Sequence, residues 1–337
     1  MKISILIPCY NEALTIEKCV NSCLNQKRRP DEIVVVNDSS TDDTAKILKK
    51  FGKEIKVVKT PRNTGNKSHA QEYGLKFITG DIFITTDGDT ILQEDFISII
   101  KKDMTDESIS AVAGYVKSLK YNWLTACRAL DYIISGNIDK LAQHYMNFIF
   151  VIPGAAGAFR TKVFREKIFF THDTITEDLD FTYRLHKLGY KIGYNRKAVC
   201  YTQDPTTLHA YINQMRRWFG GGWQNFLKHF SIPEKPGMAL ELSLMYVEGL
   251  SLSFLAFVMP LINLYMAINL FLMYCAVAFL FCVFGAIKDN RMDLLFILPF
   301  YIFLKYVNAY IFIEQFFKEI IFRKKNLSWF KPERVNI

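Results

Sequence analysis

Lys2-Ile3-Ser4-Ile5-Leu6-Ile7-Pro8-Cys9-Tyr10-Asn11-Glu12 is the stretch whose reading decides the fold. Its apolar run is short, rich in Ile and closed by Pro and polar residues, which reads as a buried strand. Three similar runs follow at 32–36, 55–58 and 81–85, and the intervening stretches 12–24, 41–51 and 67–78 read as helices. Thr41 and Asp42 supply an N-cap and an acidic first turn for the second helix. Strands alternating with helices predict right-handed βαβ units in a mostly parallel sheet, an α/β domain.

Open parallel sheets bind ligands beyond the carboxyl ends of their strands. Strand one ends in Pro8-Cys9-Tyr10-Asn11-Glu12, strand two in Asn37-Asp38-Ser39-Ser40, and the fourth in Thr86-Asp87-Gly88-Asp89. Acidic and polar clusters thus converge on one edge. No GxGxxG and no GxxxxGK[ST] occurs, which disfavours a dinucleotide cofactor and a P-loop. Asp87 and Asp89, two residues apart at a strand end, suit a hard divalent cation, Mg²⁺ or Mn²⁺, shared with a diphosphate, and Gly88 leaves room for that diphosphate. An Asp-Gly pair after a strand is also a common turn; its position beside the other acids gives it weight here.

Hydrophobic residues make up 50% of the 337 and aromatics 15%, unevenly placed. Residues 1–236 have globular α/β composition, whereas 242–322 are dominated by Leu, Phe, Ile, Met and Tyr, with a Pro/Gly-marked boundary at 232–237. Residues 264–287 carry no charge and are long enough to cross a bilayer. Flanking apolar stretches, 242–259 with Glu248 and 294–312 with Lys305, make two or three spans the expectation, Glu248 facing protein or a polar cavity. The net charge of +9 is scattered and no nucleic-acid signature appears, so anionic lipid or an anionic donor is the expected partner and nucleic acid is not. No signal peptide is read, and the seven cysteines form no CxxC pair, which suits a cytosolic, reduced domain. The histidines at 69, 144, 172, 186, 209 and 229 show no metal-ligand spacing, and His69 is placed near the donor.

These residues resemble the family 2 glycosyltransferases of the GT-A fold, specifically the membrane-integrated branch of cellulose, hyaluronan and poly-N-acetylglucosamine synthases. The resemblance covers about residues 1–236. Ile5 to Glu12 looks like the family's first strand and donor-binding loop, which implies donor contacts from Pro8, Tyr10 and Glu12. Asp38 matches the acid that contacts the nucleotide base, with Asn37 in place of the usual first Asp. Lys67 in Asn66-Lys67-Ser68-His69-Ala70 matches the lysine on the donor diphosphate, and Asp87-Gly88-Asp89 matches the metal-binding DxD. The small-residue stretch 151–160, with Gly154 and Ala156, resembles the segment beside the acceptor; Thr176-Glu177-Asp178 matches TED and Gln214-Met215-Arg216-Arg217-Trp218 matches QxxRW.

The resemblance implies a Rossmann-like mixed sheet in a cytosolic GT-A domain at 1–236, a membrane domain of two to three helices at 237–322 and a basic tail at 323–337. It implies a multi-pass enzyme of the cell membrane that performs inverting transfer from a UDP-sugar to a glycan or lipid-linked acceptor. Asp178 is then the general base, Arg217 a fork of donors for phosphate oxygens, Trp218 a flat face for a sugar ring, and Gln214 a hydrogen-bonding partner of the sugar. Read without the resemblance, Thr176-Glu177-Asp178 caps a helix starting near 179, and Arg216-Arg217-Trp218 suits a membrane-surface helix. Three readings compete: a polymerising synthase, a single-transfer enzyme acting on a lipid such as a polyprenyl phosphate, diacylglycerol or ceramide-like acceptor, and an inactive membrane scaffold of the same fold.

Overall fold

A computed structural model of the chain describes residues 1–230, 236–327 and 334–335. The expected alternation is present as β1 (Ile3–Cys9), α1 (Ile16–Leu24), β2 (Glu32–Asn37), α2 (Thr44–Lys49), β3 (Lys56–Lys59), α3 (Lys67–Leu75) and β4 (Ile82–Thr85). Strand β1 runs parallel to both β2 and β4, and β2 runs parallel to β3. The helices are shorter than the apolar pattern. Asn11 adopts a left-handed φ of 52°, and a turn at 12–15, closed by Thr15 N and Ile16 N donating to the Glu12 carbonyl, delays α1 to Ile16. Thr41 is no N-cap: its N–H donates to Asn11 Oδ1 (2.8 Å), while Asp42 Oδ1 accepts from Thr44 N (3.0 Å) where α2 begins.

The chain continues through β5 (Ile91–Leu92), α4 (Phe96–Asp103), β6 (Ile109–Ser118), α5 (Trp123–Ile134), α6 (Lys140–Tyr145), β7 (Gly157–Arg160), α7 (Thr161–Val163), α8 (Glu177–Lys187) and β8 (Lys191–Thr202). The eight strands form one sheet in the order β3-β2-β1-β4-β7-β6-β8-β5. Strand β7 is antiparallel to β4 and β6, so the sheet is mixed. Strand side chains alternate between the faces. Ile3, Ile5 and Ile7 pack with Ile16, Val20, Phe96 and Ile100 of α1 and α4 on one face. Leu6, Val34, Val36 and Phe83 pack with Ala70 and Leu75 of α3 and Phe181 of α8 on the other.

Beyond the sheet lie α9 (Leu208–His229), α10 (Pro236–Phe257), α11 (Met259–Ile262), α12 (Leu264–Asp289) and α13 (Leu298–Phe316). The boundary expected at 232–237 lies outside the described residues as far as 235. Among the described residues one helix, α12, is long and apolar enough to cross a membrane; its most apolar 18-residue stretch is 22% buried. The inner side of α12, with Ala278, Cys282 and Ala286, packs on Leu124, Cys127 and Leu130 of α5. Helix α13, the expected third apolar stretch, is tied to the α/β part by polar contacts: Lys305 Nζ pairs with Asp131 Oδ1 (2.8 Å), Tyr211 OH donates to Asn308 Oδ1 (2.9 Å), and Arg216 pairs with Glu314 (2.9 Å). Glu248 does not face protein as expected. Helix α10 packs through Tyr246, Gly249 and Ser253, spaced i, i+3, i+7, and Glu248 falls outside that stripe and is exposed. All seven cysteines are free thiols.

Gly74 sets how closely α3 lies on the sheet, since a Cβ there would run into the side chains of Val36 and Leu6. Gly74→Ala is expected to lower unfolding stability by about 1–3 kcal/mol, the usual cost of overpacking, despite alanine's better helix propensity. Urea denaturation checks this; an unchanged midpoint would mean that α3 packs more loosely than described.

Candidate active site

The strand ends open onto a cleft of about 580 Å³. Pro8, Tyr10, Glu12 and Asp38 line it from β1 and β2, and Asp87 and Asp89 from the turn after β4. Asp38 is buried, and its carboxylate accepts from Thr60 Oγ1 (2.7 Å), Thr64 N (3.1 Å) and Thr64 Oγ1 (2.8 Å), fixing the loop that leads to Lys67. Lys67 Nζ lies 2.5 Å from Asp87 Oδ1 and 3.6 Å from Glu177 Oε1. Burial opposes its charge, but Asp87 and Glu177 outweigh burial and raise its pKa above the ordinary lysine value. Gly154 makes space for this amine: a Cβ there would sit 2.7 Å from Lys67 Nζ. Ala156 is fully buried behind the wall, and Ala155 lines the cleft in its place. Gly88 lines the cleft. A Cβ there would meet Glu12 Cγ at 3.1 Å and Cys9 Cβ at 3.3 Å, so its missing side chain also lets the turn pack closely on β1.

Glu177 and Asp178 open α8 and line the opposite wall. Burial raises the Glu177 pKa, Lys67 partly offsets this, and Asp178 adds to it. Thr176 makes no side-chain cap; its Oγ1 accepts instead from Asn225 Nδ2 of α9 (2.9 Å). Gln214, Arg217 and Trp218 reach the cleft from α9, and the Gln214 carbonyl oxygen is buried without a protein partner among the described residues. One face of Trp218 is covered by Arg128, whose guanidinium carbon lies 4.9 Å from the ring centroid. Helices α8 and α9 are locked together further along. Asp180 Oδ1 faces His229 Nε2 (2.8 Å) and Lys228 Nζ (2.6 Å), and Asp180 Oδ2 pairs with Arg184 (2.9 Å).

Residues 4–167 match the sequence profile of glycosyl transferase family 2. The chain carries a family 2 glycosyltransferase domain. Over 232 residues, 68% of the chain, it is 29% identical to a poly-beta-1,6-N-acetyl-D-glucosamine synthase of Staphylococcus epidermidis and 30% identical to that of Staphylococcus aureus strain COL. The chain spans 56% of the length of each of these relatives. Among solved structures it is similar to the mannosyltransferase PcManGT from Pyrobaculum calidifontis in complex with GDP-Man and Mn²⁺, with TM-score 0.66, 20% identity, and coverage of 96% of this chain and 88% of that one. It is also similar to S. aureus TarS 1-349 in complex with UDP-GlcNAc, with TM-score 0.55, 15% identity, and coverage of 95% and 92%. These likenesses show that the glycosyltransferase domain has the GT-A fold.

The domain's acidic turn fits a divalent cation. Asp87 and Asp89 offer only oxygen, and each carboxylate already holds a positive group: Lys67 on Asp87, and Arg334 Nη1 at 2.6 Å from Asp89 Oδ2. Burial lifts the Asp89 pKa to about 6; Arg334 opposes the shift, and Glu12 and Asp87 reinforce it. Arg334 also grips Glu12 with two nitrogens at 3.1 and 3.2 Å, and Gln203 holds the backbone of Val335 (2.6 Å). No local signal marks Arg334, 322 positions from Glu12 in sequence. Lys140 was likewise missed. It lines the cleft near Asp178, donates to the Val151 carbonyl (2.6 Å), and is pushed by burial down to about 8, with Asp178 and Asp139 pulling upward.

Two outcomes follow for the glycosyltransferase domain. Gly154→Ala displaces Lys67 and is expected to weaken nucleoside-diphosphate binding by about 10- to 100-fold, the worth of a hydrogen bond between charged groups, as read by calorimetry with an unchanged circular-dichroism spectrum. Asp180 is held well below the usual carboxylate range: burial opposes its charge, but His229, Arg184 and Lys228 outweigh burial. Its contribution is therefore complete above about pH 4, the unfolded value, and is lost as pH falls through the lower folded value. Asp180→Asn should cost about 3 kcal/mol at neutral pH and flatten the acid limb of the melting profile; a variant with the parent's acid limb would refute this.

Proposed function

We propose that the chain is a membrane-associated inverting glycosyltransferase that moves a hexose or N-acetylhexosamine, N-acetylglucosamine foremost, from a UDP-sugar to a hydroxyl of a polysaccharide or lipid-linked acceptor. The observation that carries the reading is the meeting in one cleft of Asp38, Lys67, Asp87, Asp89, Glu177, Asp178, Gln214 and Arg217, drawn from segments as far apart as 38 and 217. The choice of N-acetylglucosamine rests on the poly-beta-1,6-N-acetyl-D-glucosamine synthases to which 68% of the chain aligns. Helix α12 supports attachment to the cell membrane, and α10 and α13 are the candidates for a multi-pass arrangement. In this reading the catalytic domain faces the cytosol.

In this reading the loop held by Asp38 receives the nucleotide, and Lys67 and Arg217 receive the diphosphate. Asp87 and Asp89 would hold Mg²⁺ or Mn²⁺, which would supply positive charge for the departing diphosphate. Arg334 holds Asp89 in place at that turn. Asp178 takes the proton of the acceptor hydroxyl, whose oxygen attacks the anomeric carbon from the side opposite the nucleotide. Glu177 stays against Lys67 and keeps the amine in place, while Gln214 uses its unpartnered carbonyl oxygen on a sugar hydroxyl.

A second reading, single transfer to a membrane lipid, is favoured by Trp218. It lines the cleft and also packs against the apolar cluster that joins α5, α9, α12 and α13, which puts the acceptor side of the cleft beside the apolar helices.

Membranes containing the full chain, given labelled UDP-N-acetylglucosamine, are expected to transfer label, and Asp178→Asn to reduce transfer by about 10²–10⁴-fold while UDP binding is kept. Undiminished transfer by Asp178→Asn would remove the assignment of the base. Label recovered only in the organic extract would select single transfer to lipid over polymer synthesis.

A further inference from the structure

Two clusters of polar side chains are left unexplained by the acidic edge. One is closed: His69, expected near the donor, stacks its ring on that of His172 with centroids 3.5 Å apart, and His172 meets Ser68 Oγ (2.7 Å) and Glu72 Oε2 (3.1 Å). The other is built on Arg128 of α5, whose side chain is 5% exposed. Its Nη1 donates to Asp131 Oδ2 (3.0 Å), and its Nε donates to Oδ1 of Asp204, just beyond β8 (3.4 Å). Asp131 Oδ1 in turn accepts from Lys305 Nζ (2.8 Å) and Tyr301 OH (3.1 Å) of α13. Asp204 is the more dependent of the two acids: its other oxygen, Oδ2, is buried without a partner among the described residues.

The Arg128 guanidinium also serves two aromatic rings. Its carbon lies 4.9 Å from the Trp218 ring centroid and 4.8 Å from that of Tyr132. Both rings line the cleft, whereas Arg128 is buried behind them. A stability role does not account for this arrangement. Taking a charge out of water is costly, and well-packed apolar residues in place of a buried ion pair are often as stable. What an apolar side chain lacks is the fixed plane of a guanidinium, set here by two carboxylates from different segments. A desolvated cation over an indole face is also strongly attracted to it. The indole of Trp218 thus has its plane prescribed and one face occupied, which leaves the other face for a ligand.

We propose that Arg128 is a positioning residue that holds Trp218 as a sugar platform on the acceptor side of the cleft and ties that platform, through Asp131, to α13. The inference rests on the transfer reaction proposed above and adds to it the residue that sets the orientation of the platform. Arg128 touches no substrate. Its effect passes through the indole: a fixed ring plane lets a sugar ring lie flat beside Gln214 and Asp178, which line the same cleft. On the far side of Asp131 stand Lys305 and Tyr301, so a shift of α13 reaches Trp218 along a chain of ion pairs.

The test uses the full chain in detergent, with labelled UDP-N-acetylglucosamine as donor and tri-N-acetylglucosamine as a soluble acceptor probe. Arg128→Lys keeps a charge for Asp131 and Asp204 but has no plane to stack. It is expected to raise the KM for the probe about 10-fold, the worth of a desolvated cation over an indole, while UDP binding by calorimetry is unchanged. In a Trp218→Phe background the same substitution should add far less, because residues that act through one another are not additive. Acrylamide quenching of Trp218, taken as the difference between each protein and its Trp218→Phe counterpart, should rise in Arg128→Lys and needs no transfer to be read. Asp204→Asn, which releases the Arg128 Nε, should show the same pattern and serves if Arg128→Lys fails to fold. An unchanged KM or unchanged quenching overturns the proposal, as does loss of UDP binding in step with the KM or an effect undiminished in the Trp218→Phe background. If the parent chain transfers to no acceptor, the proposed reaction falls, and quenching alone then upholds or overturns the role of Arg128.

Discussion

The structure turns on one electrostatic constraint: Glu12, Asp87, Asp89 and Glu177 gather at a single sheet edge, three of them buried. Like charges brought together out of water raise one another's pKa, and each must find a positive partner or take up a proton. At Asp89 burial raises the pKa to about 6, Arg334 in contact opposes the rise, and Glu12 and Asp87 add to it. Every cation at this edge comes from another part of the chain. Lys67 starts α3, Arg217 lies on α9, and Arg334 belongs to the tail. The packing serves these cations too: Gly154 gives Lys67 its space, and Gly74 lets α3 lie close enough to the sheet for Lys67 to reach Asp87.

A second set of contacts makes α8 and α9 one rigid unit. Asn225 holds Thr176, Gln224 accepts from the Ile175 N–H (3.0 Å), and Asp180 binds His229 and Lys228. Gly221 packs directly on Thr176, where a side chain would collide. Asp178 and Arg217, which the proposed mechanism sets on opposite sides of the reacting sugar, therefore cannot drift independently. The adjacent arginines of α9 divide their work: Arg216 pairs with Glu314 of α13, while Arg217 enters the cleft.

What could be read in the sequence was local. The first four strands and the acids at their ends followed from apolar runs and the polar residues that close them, because a buried strand and its terminal turn are contiguous in the chain. Where the outcome depended on distant neighbours, residue patterns failed. The packing role of Gly88 could not be read because its spatial neighbours, Cys9 and Glu12, lie some 80 residues earlier. Ala156 fell on the buried side because β7 pairs with β4 and β6, a pairing that no nearby residue announces. His172 meets Glu72 across 100 positions, and Lys305 meets Asp131 across 174. Lys305, an anomaly in an apolar stretch, is accounted for by that partner.

The apolar helices are the last link between fold and chemistry. Helix α12 buries Ala278, Cys282 and Ala286 against α5 and leaves Leu264, Leu272, Met273, Leu280 and Ile287 exposed. An exposed apolar surface of that extent on a helix of spanning length calls for lipid or protein to cover it. The same cluster that seats α12 also seats Trp218 at the cleft wall. In the proposed function, an acceptor held at a bilayer surface would approach the cleft from the α9 side, toward Gln214 and Asp178. A nucleotide sugar from solution would enter over the β1 and β2 loops, toward Asp38 and Lys67. The two proposed substrates meet without crossing because α9 is packed on the sheet domain through α8 and on the apolar helices through α13.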